Sequence, residues 1–149
     1  MDTSIKVWHP QTSKQLNYWQ TIGMPSRGAR LHEALHNGLP YSVYSKLAEI
    51  SGLDKKELAK VTVIAPATLQ RRAKDGRFNK NESDRLYRFA EVFKAAIDLF
   101  EGDTKAATRW LSNPVRGLGD RHPTSMLGTS AETTAVLDII GRLEFGVLV

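Results

Sequence analysis

The chain has no cysteine. Disulfides, thiolate zinc sites, iron–sulfur clusters and cysteine nucleophiles are excluded together, and the composition suits a reducing compartment such as the cytoplasm. Long apolar runs are also missing. The longest unbroken one spans a few residues, against the roughly 20 that a bilayer crossing needs, so no membrane span is expected. No N-terminal stretch joins a charged start, an apolar run and a small-residue cleavage site, so no secretory signal is expected either. Nothing alternates convincingly with period two, which points to an all-α fold. The phosphate-cradling patterns G-x-x-x-x-G-K-[ST] and G-x-G-x-x-G and the nucleophile pattern G-x-S-x-G are absent. The acidic residues show no pairing that suggests an acid and a base. What remains is 149 residues with 41% apolar content, enough for one compact domain or two small intimate ones.

The charge is placed unevenly. Between Asp54 and Lys94 there are 11 basic and 6 acidic residues, while the rest of the chain holds 10 of each. The whole formal excess of +5 therefore lies in one segment. Such a segment is either a solvated helical surface or a face that meets polyanion, and its organisation must decide.

Residues 1–28 show no sustained period and contain Pro10, Gly23, Pro25 and Gly28. They read as an N-terminal arm, in which Trp8, Tyr18 and Trp19 suggest packing on something. Leu31, Ala34 and Leu35 fit one face of a short helix stopped by Gly38 and Pro40, and Val43, Leu47 and Ile50 repeat the spacing up to Gly52. Asp54 with Glu57, and Asn79 with Glu82, are capping-box pairs. The first opens a short helix to about Val61, and the second the longest helix, along Leu86, Phe89, Phe93, Ala96, Ile97 and Phe100. Between them Pro66 suits a first helical position, with Leu69 and Ala73 inward and Gly76 at the end. Asp103 can cap a helix burying Ala106, Ala107, Trp110 and Leu111, stopped by Pro114. After a loop, Pro123 begins a single turn, and Ser130 is expected to cap a last helix with Val136, Ile139, Ile140 and Leu143 on one face.

Residues 54–76, two short helices on a tight connection followed by a supporting helix, have helix-turn-helix organisation, in which the second helix lies in the major groove. Its outward face carries Ala67, Thr68, Gln70, Arg71 and Lys74, with Arg72 and Arg77 flanking. Arg suits guanine edges, Gln adenine, and Lys and Thr phosphates. A helix pair alone is a weak signal; coincidence with the only basic segment strengthens it. Two residues cut against it. Val63, β-branched, stands where the turn favours Gly, and Ala65, before Pro66, offers no capping oxygen.

His32-Glu33-Ala34-Leu35-His36 matches the H-E-x-x-H zinc pattern. The extended form fails, since Leu39 and Ser42 occupy its later positions, and Glu57 already has a capping task. Two surface histidines are the preferred reading, and neither a metal nor another cofactor is expected. Trp110 with Leu111 reads as core. The chain end, Gly141 to Val149, places three apolar residues after a glycine. They either fold back on the core or offer an apolar tip to a partner's pocket.

A series of blocks carries a family resemblance: Gly38-Leu39-Pro40, Leu58-Ala59, Thr68-Leu69-Gln70-Arg71-Arg72, Glu82-Ser83-Asp84-Arg85-Leu86, Gly102-Asp103, Trp110-Leu111, Asn113-Pro114, and Pro123 with Met126-Leu127-Gly128-Thr129. Arg142, Glu144, Gly146 and Val147 close it. From about residue 29 onward the chain resembles the Xre/ParS-type antitoxins that accompany RES-domain toxins. The resemblance implies a protein that is not an enzyme, that silences an NAD-consuming RES toxin, and that binds its own operator DNA as a homodimer. It further implies that the C-terminal domain covers the toxin, with Arg142, Glu144, Gly146, Val147, Leu148 and Val149 at the mouth of its nucleotide pocket. Val63 and Ala65 depart from the Gly and Ser common at that turn.

The expected architecture is an arm over 1–28, a helix-turn-helix domain over 29–101 and a small helical toxin-binding domain over 102–149. Thr68, Gln70, Arg71, Arg72, Lys74 and Arg77 are the candidate DNA contacts. The rival readings are a stand-alone repressor whose tail dimerises, and a metal hydrolase built on His32, Glu33 and His36.

Overall fold

The computed structural model describes residues 18–146, and within them the chain is all-α. Helix α1 covers Gly28–Asn37, α2 Tyr41–Ser51, α3 Lys55–Val61, α4 Pro66–Asp75 and α5 Lys80–Leu99; α6 covers Thr104–Leu111 and α7 Ser130–Glu144. Two single 3-10 turns, Arg116–Leu118 and Pro123–Met126, lie between α6 and α7.

Local chemistry sets the starts. The Asp54 carboxylate accepts from the Glu57 N–H at 2.7 Å, and the Asn79 side-chain amide oxygen from the Glu82 N–H at 2.8 Å, each answered by the glutamate reaching back. Asp103 accepts from the Ala106 N–H at 3.0 Å. The cap of the last helix lies one residue earlier than expected: Thr129, not Ser130, accepts from the Glu132 N–H, at 3.2 Å. The reason is spacing. Thr129 has Glu132 at the third position on, whereas Ser130 has Thr133 there.

Helix α5 is the central element and packs against α1, α2, α6 and α7. Its Leu86, Phe89, Ala90, Val92, Phe93 and Ala96 are buried, with Phe89 and Phe93 stacked at 5.7 Å between ring centres. Ile97 and Phe100 are half-buried at the helix end. Ala107 and Leu111 of α6 and Val136, Ile139 and Ile140 of α7 complete the far side.

The stretch read as an arm is packed where it is described. Residues 18–22 are helical, and Tyr18, Trp19, Ile22 and Met24 belong to the core. The Tyr18 hydroxyl donates to the Ala90 carbonyl of α5 at 2.7 Å, and burial pushes its pKa well above the ordinary tyrosine value. Trp8 and Pro10 lie outside the described residues. Ala73, expected inward, is exposed; α4 buries no residue completely and rests on the core through half-buried Leu69.

Candidate nucleic-acid interface and partner-binding end

Helix α4 has almost no core to hold it, so its position depends on polar ties. The first is a clasp between residues 38–41 and 76–78. Phe78 N–H donates to the Leu39 carbonyl at 2.9 Å, and Tyr41 N–H to the Gly76 carbonyl at 2.8 Å. Leu39 N–H donates to the Ser83 hydroxyl at 2.8 Å, and the Arg77 guanidinium donates to the Gly38 carbonyl. Gly38 has φ +89, and a Cβ there would fall 1.9 Å from the Phe78 carbonyl oxygen. Only glycine lets the two segments approach this closely.

The second tie is Arg72. Its Nε and one terminal nitrogen donate to the two Glu82 oxygens at 2.7 and 3.2 Å, with Asp75 3.7 Å away. Glu82 also accepts from the Asn79 N–H at 2.9 Å. Burial alone would raise the Glu82 pKa, but Arg72 and the Asn79 N–H overcome it and hold the carboxyl below its usual value. Of the six candidate DNA contacts, Arg72 and Arg77 are thus engaged within the fold. Gln70, Arg71 and Lys74 are exposed, and Arg71 donates to half-exposed Thr68 at 3.3 Å.

The turn between α3 and α4 has the geometry that its residues resist. Val63 adopts φ +55 with its side chain 59% exposed, and Ala65 caps α4 with no side-chain bond before Pro66. Arg85 of α5 compensates, donating to the carbonyls of Thr62 at 2.8 Å and Val63 at 3.3 Å. One helical turn on, Arg88 pairs with Asp84 at 2.6 Å and donates to the Gly128 carbonyl at 3.3 Å. The Glu82-Ser83-Asp84-Arg85-Leu86 block is therefore a set of ties: to α4, to Leu39, to Arg88, to the turn and to the core.

In the C-terminal unit, α7 packs through Thr133, Val136, Ile139 and Ile140, with Leu143 half-buried. Arg142 and Glu144 are both exposed. Phe145 follows with 85% of its surface exposed, a residue that the sequence reasoning passed over. Helical geometry was the available signal: at about 100° per residue, Phe145 lies half a turn away from Val136 and so opposite the buried stripe. Gly146 then turns the chain at φ +70. Val147, Leu148 and Val149 lie outside the described residues.

His32 and His36 are exposed on α1, and among the described residues no group of three His, Asp or Glu side chains could hold a metal ion. No described helix is long and apolar enough to cross a membrane.

A helix pair with an exposed cationic second helix, joined along one long helix to a smaller helical unit, defines a two-part helix-turn-helix protein. Residues 30–91 match the antitoxin Xre-like helix-turn-helix domain, and residues 95–146 the antitoxin Xre/MbcA/ParS C-terminal toxin-binding domain. The antitoxin Xre of Yersinia enterocolitica is 40% identical over 146 residues, covering 96% of this chain and 99% of that protein. The antitoxin Xre of Photorhabdus laumondii is 36% identical over 147 residues, covering 97% and 99%. The chain belongs to the Xre antitoxin family.

Proposed function

We propose that this chain neutralises an NAD-consuming toxin of the RES class in the cytoplasm, acting by binding and not by catalysis. The observation that carries the reading is the match of residues 95–146 to a toxin-binding domain whose last helix ends in exposed Arg142 and Glu144. Residues 147–149 follow the matched domain. Burying Val147, Leu148 and Val149 in the toxin's nucleotide pocket is favourable by about 1.5–3 kcal/mol per side chain. The toxin then loses access to NAD without any change in its own catalytic residues.

The second half of the reading is autoregulation. As a homodimer, the chain sets two α4 helices against its operator, with Arg71, Lys74, Gln70 and Thr68 facing the duplex. Arg72 and Arg77 act there by fixing the pitch of α4 and not by touching DNA.

The deciding experiment is NAD turnover by the purified RES-domain toxin of the neighbouring reading frame, with and without this chain. Stoichiometric inhibition by the full chain, lost on deletion of Val147–Val149 while helical content stays the same, is the expected result. Full turnover in the presence of excess chain would overturn the reading. Equal inhibition by the shortened chain would remove the tail from the blocking role.

A further inference from the structure

We propose that Phe145 is a pre-set aromatic anchor for the toxin, seated in a pocket on the toxin's surface beside its nucleotide site. The proposal rests on the toxin-neutralising reading above and adds a contact point to it.

Three observations converge on this side chain. The large apolar side chains exposed among the described residues are Val63, at 59%, and Phe145, at 85%. Val63 has an internal reason for its position, in the turn held by Arg85. Phe145 has none: it lies opposite the stripe that packs α7, and its removal would leave that stripe intact. Second, it is held. Its N–H donates to the Gly141 carbonyl at 3.2 Å, and the Gly146 N–H donates to the Leu143 carbonyl at 3.1 Å. An aromatic side chain on a backbone already fixed loses little freedom on binding. Third, it is continuous with the partner-binding surface, since the toxin-binding domain extends through residue 146.

The surroundings favour a protein toxin over a second copy of the chain. A stable interface buries about 1,200–2,000 Å² in total, of which one phenylalanine supplies at most about 250 Å². Val63 belongs to the helix-turn-helix turn and Phe145 to the far end of α7, so the two do not build a shared apolar face. A single aromatic flanked by charged Arg142 and Glu144 has instead the layout of a binding hot spot: an apolar centre with a polar rim that excludes water.

The test compares the full-length chain with Phe145→Ala and Phe145→Leu. Affinity for the purified RES-domain toxin is measured by calorimetry, alongside thermal melting and the oligomeric state of the free chain. Phe145→Ala is expected to melt and assemble like the parent, yet to bind the toxin at least about 30-fold more weakly. Phe145→Leu should recover much of the loss, since an apolar side chain still fills the pocket. Binding within about threefold of the parent would overturn the anchor. So would a large fall in melting temperature, which would mean that Phe145 packs on its own chain. Loss of self-association with unchanged toxin affinity would reassign the residue to a second copy, and likewise overturns it. If the parent chain itself does not bind the toxin, the underlying reading fails; if it binds and Phe145→Ala binds equally, only the anchor fails.

Discussion

Replacing Gly38 with alanine tests whether the clasp holds the helix-turn-helix unit together. At φ +89 and ψ 134 residue 38 lies outside even the left-handed helical region, and an L side chain there costs about 1–3 kcal/mol. The new Cβ would also stand 1.9 Å from the Phe78 carbonyl oxygen, so the two backbone segments must part. Parting them puts three hydrogen bonds at risk: Phe78 N–H to Leu39, Tyr41 N–H to Gly76, and Leu39 N–H to Ser83. At about 1 kcal/mol each, the total reaches about 4–6 kcal/mol. For a chain of this size about 2–4 °C of melting temperature goes with each kcal/mol, so the midpoint should fall by about 8–24 °C. Gly52→Ala is the open-space comparison, a left-handed helix end at φ +72 and ψ 3 with nothing within 4 Å of its Cβ position. It should cost the left-handed penalty alone, about 1–2 kcal/mol. Thermal and urea unfolding followed by circular dichroism give both values. If Gly38→Ala falls no further than Gly52→Ala, the Phe78 carbonyl does not constrain residue 38 and the reasoning fails.

Other outcomes follow from the same geometry. Alanine at both Arg71 and Lys74 should weaken operator binding and lower the log–log salt slope by about 0.9 per lost phosphate contact, with toxin inhibition intact; an unchanged slope in a filter-binding or anisotropy titration would refute their assignment. Arg72→Ala should lower the melting temperature as well as operator affinity, whereas Arg71→Ala should leave melting alone. Because the folded Glu82 carboxyl lies below its ordinary value, its contribution is complete above about pH 4.3 and is lost as pH falls through the lowered folded value. Glu82→Gln should therefore lower stability at neutral pH and flatten the acid limb of a melting-temperature profile. His32→Ala and His36→Ala, like added chelator, should change neither melting nor inhibition, and stoichiometric zinc lost on either substitution would revive the metal reading.

Helix ends were the most legible part of the chain. Capping depends on residue types three positions apart, and the Asp54–Glu57 and Asn79–Glu82 pairs announce it without tertiary information. The Thr129–Glu132 pair follows the same rule, and the displaced expectation at Ser130 came from weighing the hydroxyl without the glutamate. Charge was legible only in bulk. That Arg72 pairs with a carboxylate ten residues away depends on the angle between α4 and α5, which no local spacing records. Residues 18–24 sit among glycines and prolines that obscure any period, and the burial of Tyr18 comes from its bond to α5. The exposure of Phe145 follows from the helical phase that the buried stripe of α7 defines, a signal that composition alone does not carry.

The two arginines of α5, Arg85 on the Thr62–Val63 carbonyls and Arg88 on the Gly128 carbonyl, bear on how this chain could be recombined with its relatives. The boundary between the two matched domains falls inside α5, between residues 91 and 95. A chimaera spliced there would divide one helix between two parents and set Phe93 of one beneath Phe89 of the other. A graft that carries α5 whole, with Thr62–Val63 on one side and Gly128 on the other, keeps both arginines with the carbonyls that they serve. Exchange of toxin specificity among such proteins should then succeed by replacing segments after residue 129, and fail when the cut is made at the domain boundary that sequence alone would choose.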